Sequence, residues 1–171
     1  MGKHNFYEAL WNIKHIRDGK VIWEIKDKKN ILCDEGEKAI VDTFFRANAA
    51  TYFGVTDFYI GLYNGTISEA TKLTNIPSEP SGITGMGYSR QKCERSSIGF
   101  PTLEQDDGNW RVVSKEIELI ATGGDIGPVN GAFLGTSLNN TGSLIGAIAM
   151  GTERTVVAGD KIIFQMRIKL K

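Results

Sequence analysis

Cysteine and histidine are scarce in this chain of 171 residues, with two of each. Cys33 and Cys93 stand in unrelated contexts without CxxC spacing, so free thiols are favoured over a disulfide and over thiol chemistry. His4 and His15 lie close to the start and never form HExxH, which argues against a zinc or triad histidine and for surface or interface imidazoles. No serine stands in a GxSxG elbow. An excess of either charge is also lacking: 20 basic and 20 acidic side chains cancel. That balance supplies no overall attraction to nucleic acid, anionic membrane or a charged substrate. No apolar run approaches the roughly 18 residues that cross a bilayer. The opening MGKHNFYE has no apolar h-region, so synthesis in a cytosol without a signal peptide is expected.

What is present is ordinary for one globular domain: 41% apolar residues, 23% charged and 20 glycines. Residues 6 to 16 are apolar in an irregular way, and Asp18-Gly19 predicts a hairpin turn into a strand from Gly19 to Lys26. Asp34 and Glu37 have capping-box spacing ahead of a helix over about 36–48, with Ile40, Val41, Phe44 and Phe45 on its apolar face and Asp42 outside. Beyond Gly54 the period becomes two. Phe58, Ile60 and Leu62 alternate with Tyr59, Gly61 and Tyr63, a strand apolar on both faces.

Residues 73–87 carry Pro77, Pro80, Gly82, Gly85 and Gly87, which predicts a long loop, either binding or disordered. Further strands are expected over 88–92, 96–100, 110–121, 131–136 and 144–150. The last strand is the best marked, with Ile162, Phe164, Met166, Ile168 and Leu170 opposite three cations. Short strands between Gly/Asn/Asp turns, without crossover helices, predict a mainly β fold. An antiparallel β-sandwich or jelly roll with one short amphipathic helix near 36–48 is expected.

The candidate chemistry is weak at every position. Asp106-Asp107-Gly108-Asn109 lacks the DxDxDG spacing and position-twelve glutamate of a calcium loop and reads as a solvated turn. The glycine-dense segment 123–131 has neither GK[ST] nor a following helix, so a structural turn or close inter-chain approach is preferred to phosphate binding. Glu116 and Glu118 share a strand face about 7 Å apart, with solvent as the simpler destination. Lys161, Arg167, Lys169 and Lys171 form a basic strip without aromatics on its face, a poor nucleic-acid platform. No enzyme activity, cofactor or metal is therefore expected.

Residues 132–170 carry AFLGT at 132–136, GSLIGA at 142–147, TERTVVAGD at 152–160 and the alternating final strand. Upstream stand YIGLYN at 59–64, GYSR at 87–90 and ATGGDIGPV at 121–129. In these elements the chain resembles a broad group of tailed-bacteriophage virion structural proteins, of the capsid decoration (cement) or minor head and tail kind. The resemblance extends over most of residues 15–171 and is specific in the final 50 or so. It implies a β-sandwich subunit without catalysis, made in the host cytoplasm and assembled on a virion. Its partners would be the major capsid protein or other virion subunits, with no nucleic acid or membrane.

Gly61, Tyr88, Arg90, Arg154, Gly159 and Asp160 match the group's pattern. Gly159 and Asp160 are expected to set the final turn, and Arg90 and Arg154 to brace loops through carboxylates such as Asp160. Residues 1–14 fall outside the resemblance and read as an arm, with Phe6, Tyr7 and Trp11 as apolar anchors against a neighbour. Residues 15–171 form the single sandwich domain. Tyr59, Tyr63 and Tyr88 are further interface candidates. A minor tail or baseplate protein is the first alternative function. The second is a carbohydrate-binding module using those tyrosines as a platform. Apolar residues on outer strand faces predict a homo-oligomer, a trimer before a dimer.

Overall fold

The computed structural model describes residues 7–46, 57–80 and 87–170, apart from the side chains of Phe44 and Leu170. Among the described residues, eleven strands form two antiparallel sheets. The first sheet contains β1 (Tyr7–Arg17), β2 (Lys20–Lys29), β6 (Thr102–Asp106), β7 (Asn109–Val113), β8 (Ile117–Ile120) and β11 (Lys161–Leu170), in the order β2-β1-β11-β7-β6. β8 lies beside β11 further along the same edge that β7 uses. The second sheet contains β3 (Ile31–Leu32), β4 (Asp57–Tyr63), β5 (Gln91–Glu94), β9 (Ile126–Gly135) and β10 (Leu144–Val156), ordered β3-β10-β9-β4-β5. The two inner faces bury one continuous core, as in a β-sandwich.

The final strand behaves as its alternation requires. Ile162, Phe164 and Met166 point into the core, and Lys161, Arg167 and Lys169 point out. β1 runs antiparallel along it, pairing Trp11 with Met166 and Ile13 with Phe164. The rings of Trp11 and Phe164 meet edge to face at 6.3 Å. This corrects the expected arm over 1–14: residues 7–14 are an interior strand of the first sheet, and Trp11 is a core residue of its own domain. Ala9, Trp11, Ile13 and His15 all face inward at period two. Leu10 and Ile16 on the opposite face made the sequence pattern look irregular. Phe6 lies outside the described residues. His15, expected at a surface or an interface, is buried on the same inward face.

Other expected strands shift. The stretch 110–121 is two strands, interrupted where Ser114 donates its amide to the Met166 carbonyl at 2.8 Å and accepts the Met166 amide on its hydroxyl at 2.9 Å. Residues 96–100 turn instead of extending, and β6 takes the place of the strand expected there. β5 begins at Gln91, after Tyr88 and Arg90 have left the backbone ladder free for side-chain work.

The helix α1 spans Asp34–Arg46, its first turn acidic and its last turn basic, in accord with the helix dipole. The Glu37 amide donates to the Cys33 carbonyl at 2.9 Å. Its buried face is a correction. Gly36, Ala39 and Asp42 face inward, while Val41 and Phe45 are exposed. A Cβ on Gly36 would stand 2.3 Å from the Ile145 carbonyl oxygen. Backbone contact with β10 is therefore open only to the small-residue side, and that constraint overrides the apolar stripe.

The outer face of the second sheet carries a second core of Cys33, Tyr63, Ile67, Leu73, Phe133, Leu144 and Ala147. The loop after β4, with a 3-10 turn at Leu73–Asn75, supplies Ile67 and Leu73 as its cover. Two cross-strand pairs shape this face: Gly61 is opposite Phe133, and Tyr63 is opposite Gly131. Each aromatic ring lies over its glycine, and a Cβ at either glycine would come within 2.3 Å of a ring carbon. The apolar residues on both faces of β4 are thus buried by the chain itself, not by a neighbouring subunit.

Replacing Gly131 by alanine is expected to cost about 1–3 kcal/mol in denaturant unfolding, from overpacking against the Tyr63 ring. Adding Tyr63→Leu should recover part of that loss, and strictly additive costs in the two variants would contradict the ring-over-glycine contact.

Candidate functional site

Tyr88, Arg90, Gly159 and Asp160 belong to two buried polar hubs. The first is the β10–β11 turn. Gly159, at φ 91°, adopts a conformation that side chains disfavour, and its amide donates to the Ala121 carbonyl at 2.8 Å. Asp160 is nearly inaccessible, and its carboxylate accepts the Val157 amide, closing the turn. The same carboxylate takes a two-nitrogen contact from Arg17, at 2.8 and 2.9 Å, and lies 2.8 Å from Nε2 of His15. The Ala121 amide donates to its backbone carbonyl. One aspartate therefore ties β1, the end of β8 and the final turn. Arg17 hydrogen bonding, then His15, outweighs burial and holds its acid well below the usual range, at about 2.

The second hub is Arg90. Its Nε and Nη2 donate to the two oxygens of Glu79, at 2.8 and 2.6 Å. Nη1 reaches the carbonyls of Ser137 and Asn139, and Nη2 the side-chain oxygen of Asn140. The guanidinium carbon lies 4.9 Å from the centre of the Phe133 ring. Tyr88 donates its hydroxyl to Glu79 at 3.0 Å and accepts the Leu62 amide at 2.8 Å. Burial, followed by the charge of Glu79, pushes that phenol well above its ordinary value. Arg90 and Tyr88 hence clamp the loop bearing Glu79 and the loop after β9 onto the outer face of the second sheet.

The carboxylate that holds Arg90 is Glu79. The expected Arg154–Asp160 contact does not form. The guanidinium of Arg154 instead stacks at 3.8 Å on the Trp23 ring, across the edge between the two sheets, and its hydrogen-bonding contact is Thr152 at 3.5 Å. Arg17 supplies the charge that Asp160 needs, from a strand whose pairing with β11 brings it there. Arg17, Glu79 and Trp23 were missed because the sequence gives no sign of what faces them, and His15 was read as a surface or interface imidazole.

The tyrosine candidates separate. Tyr63 is buried in the second core, Tyr88 is half-buried with its hydroxyl engaged, and Tyr59 is half-buried. Tyr7 lies at the start of β1, half-buried, and Trp11 is inaccessible. The tyrosines thus offer no exposed aromatic platform for a sugar among the described residues.

Exposed apolar side chains collect elsewhere. The β6–β7 hairpin presents Leu103 and Trp110, which are 66% and 59% exposed. Both belong to the face of the first sheet that is inner elsewhere, since Leu103 pairs with Val112 and Val112 with Ile168. The hairpin extends past the cover of the second sheet. Its opposite face is polar, with Arg111 held to Glu104 at 2.7 Å and to Asp106 at 3.0 Å. The outward face also carries the ion pairs Lys14–Glu116 and Lys161–Glu118. Glu116 and Glu118 therefore pair with lysines across strands. The overhanging hairpin is the candidate contact surface. Among the described residues, no group of three or more His, Cys, Asp and Glu side chains is placed to hold a metal ion.

No protein-family model matches the chain, and no curated protein matches it either.

The lowered acid of Asp160 fixes a sign. Its folded-state value of about 2 lies below the ordinary 3.8, so its contribution to stability is full above about pH 4 and is lost as pH falls toward 2. Unfolding midpoints measured from pH 5 to 2 should fall over that window, and Asp160→Asn should flatten the dependence while lowering stability at neutral pH. At the other hub, Arg90→Met should cost on the order of 3 kcal/mol, because Glu79 is left without its charge partner. A denaturant midpoint unchanged by Arg90→Met would contradict the clamp.

Proposed function

We propose that this chain is a structural subunit of a tailed-bacteriophage particle, a capsid decoration protein that binds the assembled shell by protein–protein contacts and associates with its own copies. The observation that carries the reading is how the matching residues are used. Gly61, Tyr88, Arg90, Gly159 and Asp160 all serve backbone approach, loop clamping or the final turn. Arg154 joins the two sheet edges through Trp23. A pattern of this kind specifies a scaffold, and the work of the scaffold then falls to its surface. Trp110 on the overhanging hairpin supplies an aromatic anchor of the kind contact cores favour, with Leu103 adding apolar area on the same face.

A minor tail or baseplate subunit would use the same scaffold and differs in location. The carbohydrate-binding alternative loses its support, because Tyr63 and Tyr88 are committed within the fold.

Electron imaging of particles labelled on this chain should show label over the whole shell. Label confined to one vertex would assign the chain to the tail, and particles without label would overturn the virion reading. Leu103→Ser with Trp110→Ser should leave the fold intact, both side chains being exposed, and weaken attachment to undecorated shells by about tenfold or more in co-sedimentation.

A further inference from the structure

We infer that the flank of the sandwich between β2 and β10 is a docking strip for an acidic, extended segment of a partner protein, with Arg154 as the anchor that receives a carboxylate. β2 is the far edge of the first sheet from β6, so the strip is separate from the overhanging hairpin and its contact. β2 pairs with β1 alone, and β3 covers β10 only at Gly146 and Ala147. Along the rest of this flank neither strand has a neighbour on its outer side among the described residues.

The register of β2 decides which of its side chains face the flank. Lys20, Trp23, Ile25 and Lys28 stand opposite Arg17, His15, Ile13 and Trp11 of β1, and the last three of these point inward. Cross-strand partners share a face, so all four side chains of β2 lie on its inward side, toward β10. There the guanidinium of Arg154 reaches over from β10 and stacks on the Trp23 ring. Lys20 and Lys28 are exposed on either side of that stack. The three cations thus share one strip, which at the rise of a strand is at most about 26 Å long.

The strip lacks counter-charge. Arg17, Arg46, Arg90, Arg111 and Arg167 are each held by a carboxylate. Arg154 forms no ion pair among the described residues, and neither do Lys20 and Lys28. Burial, with no carboxylate beside it to offset the cost, pulls the Arg154 guanidinium below its ordinary value. Its Nε is buried without a hydrogen-bond partner, and Nη2 lies a long 3.5 Å from the Thr152 hydroxyl. The accessible donors are therefore the terminal nitrogens, a fork that matches a carboxylate. The acids of β2 turn elsewhere: Glu24 stands opposite Lys14 and Asp27 reaches Arg167, both on the outward face. At the Lys20 end, Asp160, Asp18 and Asp125 gather about Arg17.

Three uncompensated cations in a line, with the half-buried Trp23 and Ile25 between them, fit an extended chain that carries carboxylates beside small apolar contacts. Nucleic acid fits the strip less well. Trp23 gives a ring face to Arg154 and packs against the core, so it is not an open stacking platform for bases. The chain as a whole also has no net positive charge to gather phosphates.

The test uses the full chain and a labelled synthetic peptide of about ten residues, alternating glutamate and threonine, long enough to span the strip. Anisotropy should show saturable, salt-sensitive binding of this peptide, and amide and side-chain NMR should place the shifts at the Trp23 indole and the Arg154 Nε–H. The same peptide with glutamine for glutamate should not bind. Arg154→Lys, which keeps the charge and loses the fork, should weaken binding about tenfold. Lys28→Gln should weaken it severalfold, and because that side chain is exposed and free of ion pairs the variant reads binding even if Arg154→Lys disturbs the fold. Lys14→Gln, on the outward face and paired with Glu116, should change nothing. Absence of saturable binding, equal binding of the glutamine peptide, or unchanged affinity in Lys28→Gln would overturn the docking strip. An oligothymidylate of the same length binding more tightly than the acidic peptide would overturn its assignment to a protein partner.

Discussion

The pairing of the first described strand with the last organises this protein. β1 and β11 lie side by side over ten residue pairs, from Tyr7 with Leu170 to Ile16 with Lys161. Every other part of the first sheet is attached to one of these two strands or grows outward from them. The same register brings His15 and Arg17 to Asp160, so the hub at the final turn exists only when the two ends of the chain have met. A contact spanning nearly the whole sequence is costly in loop entropy, and the stacked Trp11, Phe164, Ile13 and Met166 side chains are what offset it.

The two polar hubs solve one problem at opposite ends of the fold. A sandwich exposes turns and loops whose backbone groups need partners, and buried carboxylates or guanidinium groups meet several such needs at once. Asp160 accepts from one amide and two side chains. Arg90 donates to a carboxylate and two carbonyls. A buried charge of this sort is tolerated because its counter-charge is bidentate and its remaining donors are satisfied. In both hubs the titratable side chains His15, Asp160, Glu79, Tyr88 and Arg90 are engaged with partners inside the fold.

The glycines of the second sheet belong to the same economy. Gly61 and Gly131 let Phe133 and Tyr63 lie flat against the strands, and Gly36 lets α1 rest on the backbone of β10. The loop after β4 then covers the aromatic surface and is itself fastened by Glu79. Leu103 and Trp110 on the overhanging hairpin are the most exposed of the large apolar side chains on the strands of the first sheet.

The amino-acid sequence alone determined the fold class, the single helix, the Asp18-Gly19 hairpin and the inward face of the last strand, because period two and turn chemistry act over a few neighbouring residues. It also singled out Gly159, Asp160 and Arg90, but offered Asp160 as the carboxylate for Arg90 and Arg154, whereas Glu79 holds Arg90 and Arg17 holds Asp160. Tertiary structure decided the rest. Residues 7–14 read as an arm and became an interior strand, since their alternation has meaning only beside β11. Arg154 went to Trp23 and Asp160 to Arg17, pairings set by which strands adjoin. The buried face of α1 followed Gly36 and Ala39 in place of Val41 and Phe45, because close approach to a neighbouring backbone selects the smallest side chains, and no local pattern reveals where that backbone will pass.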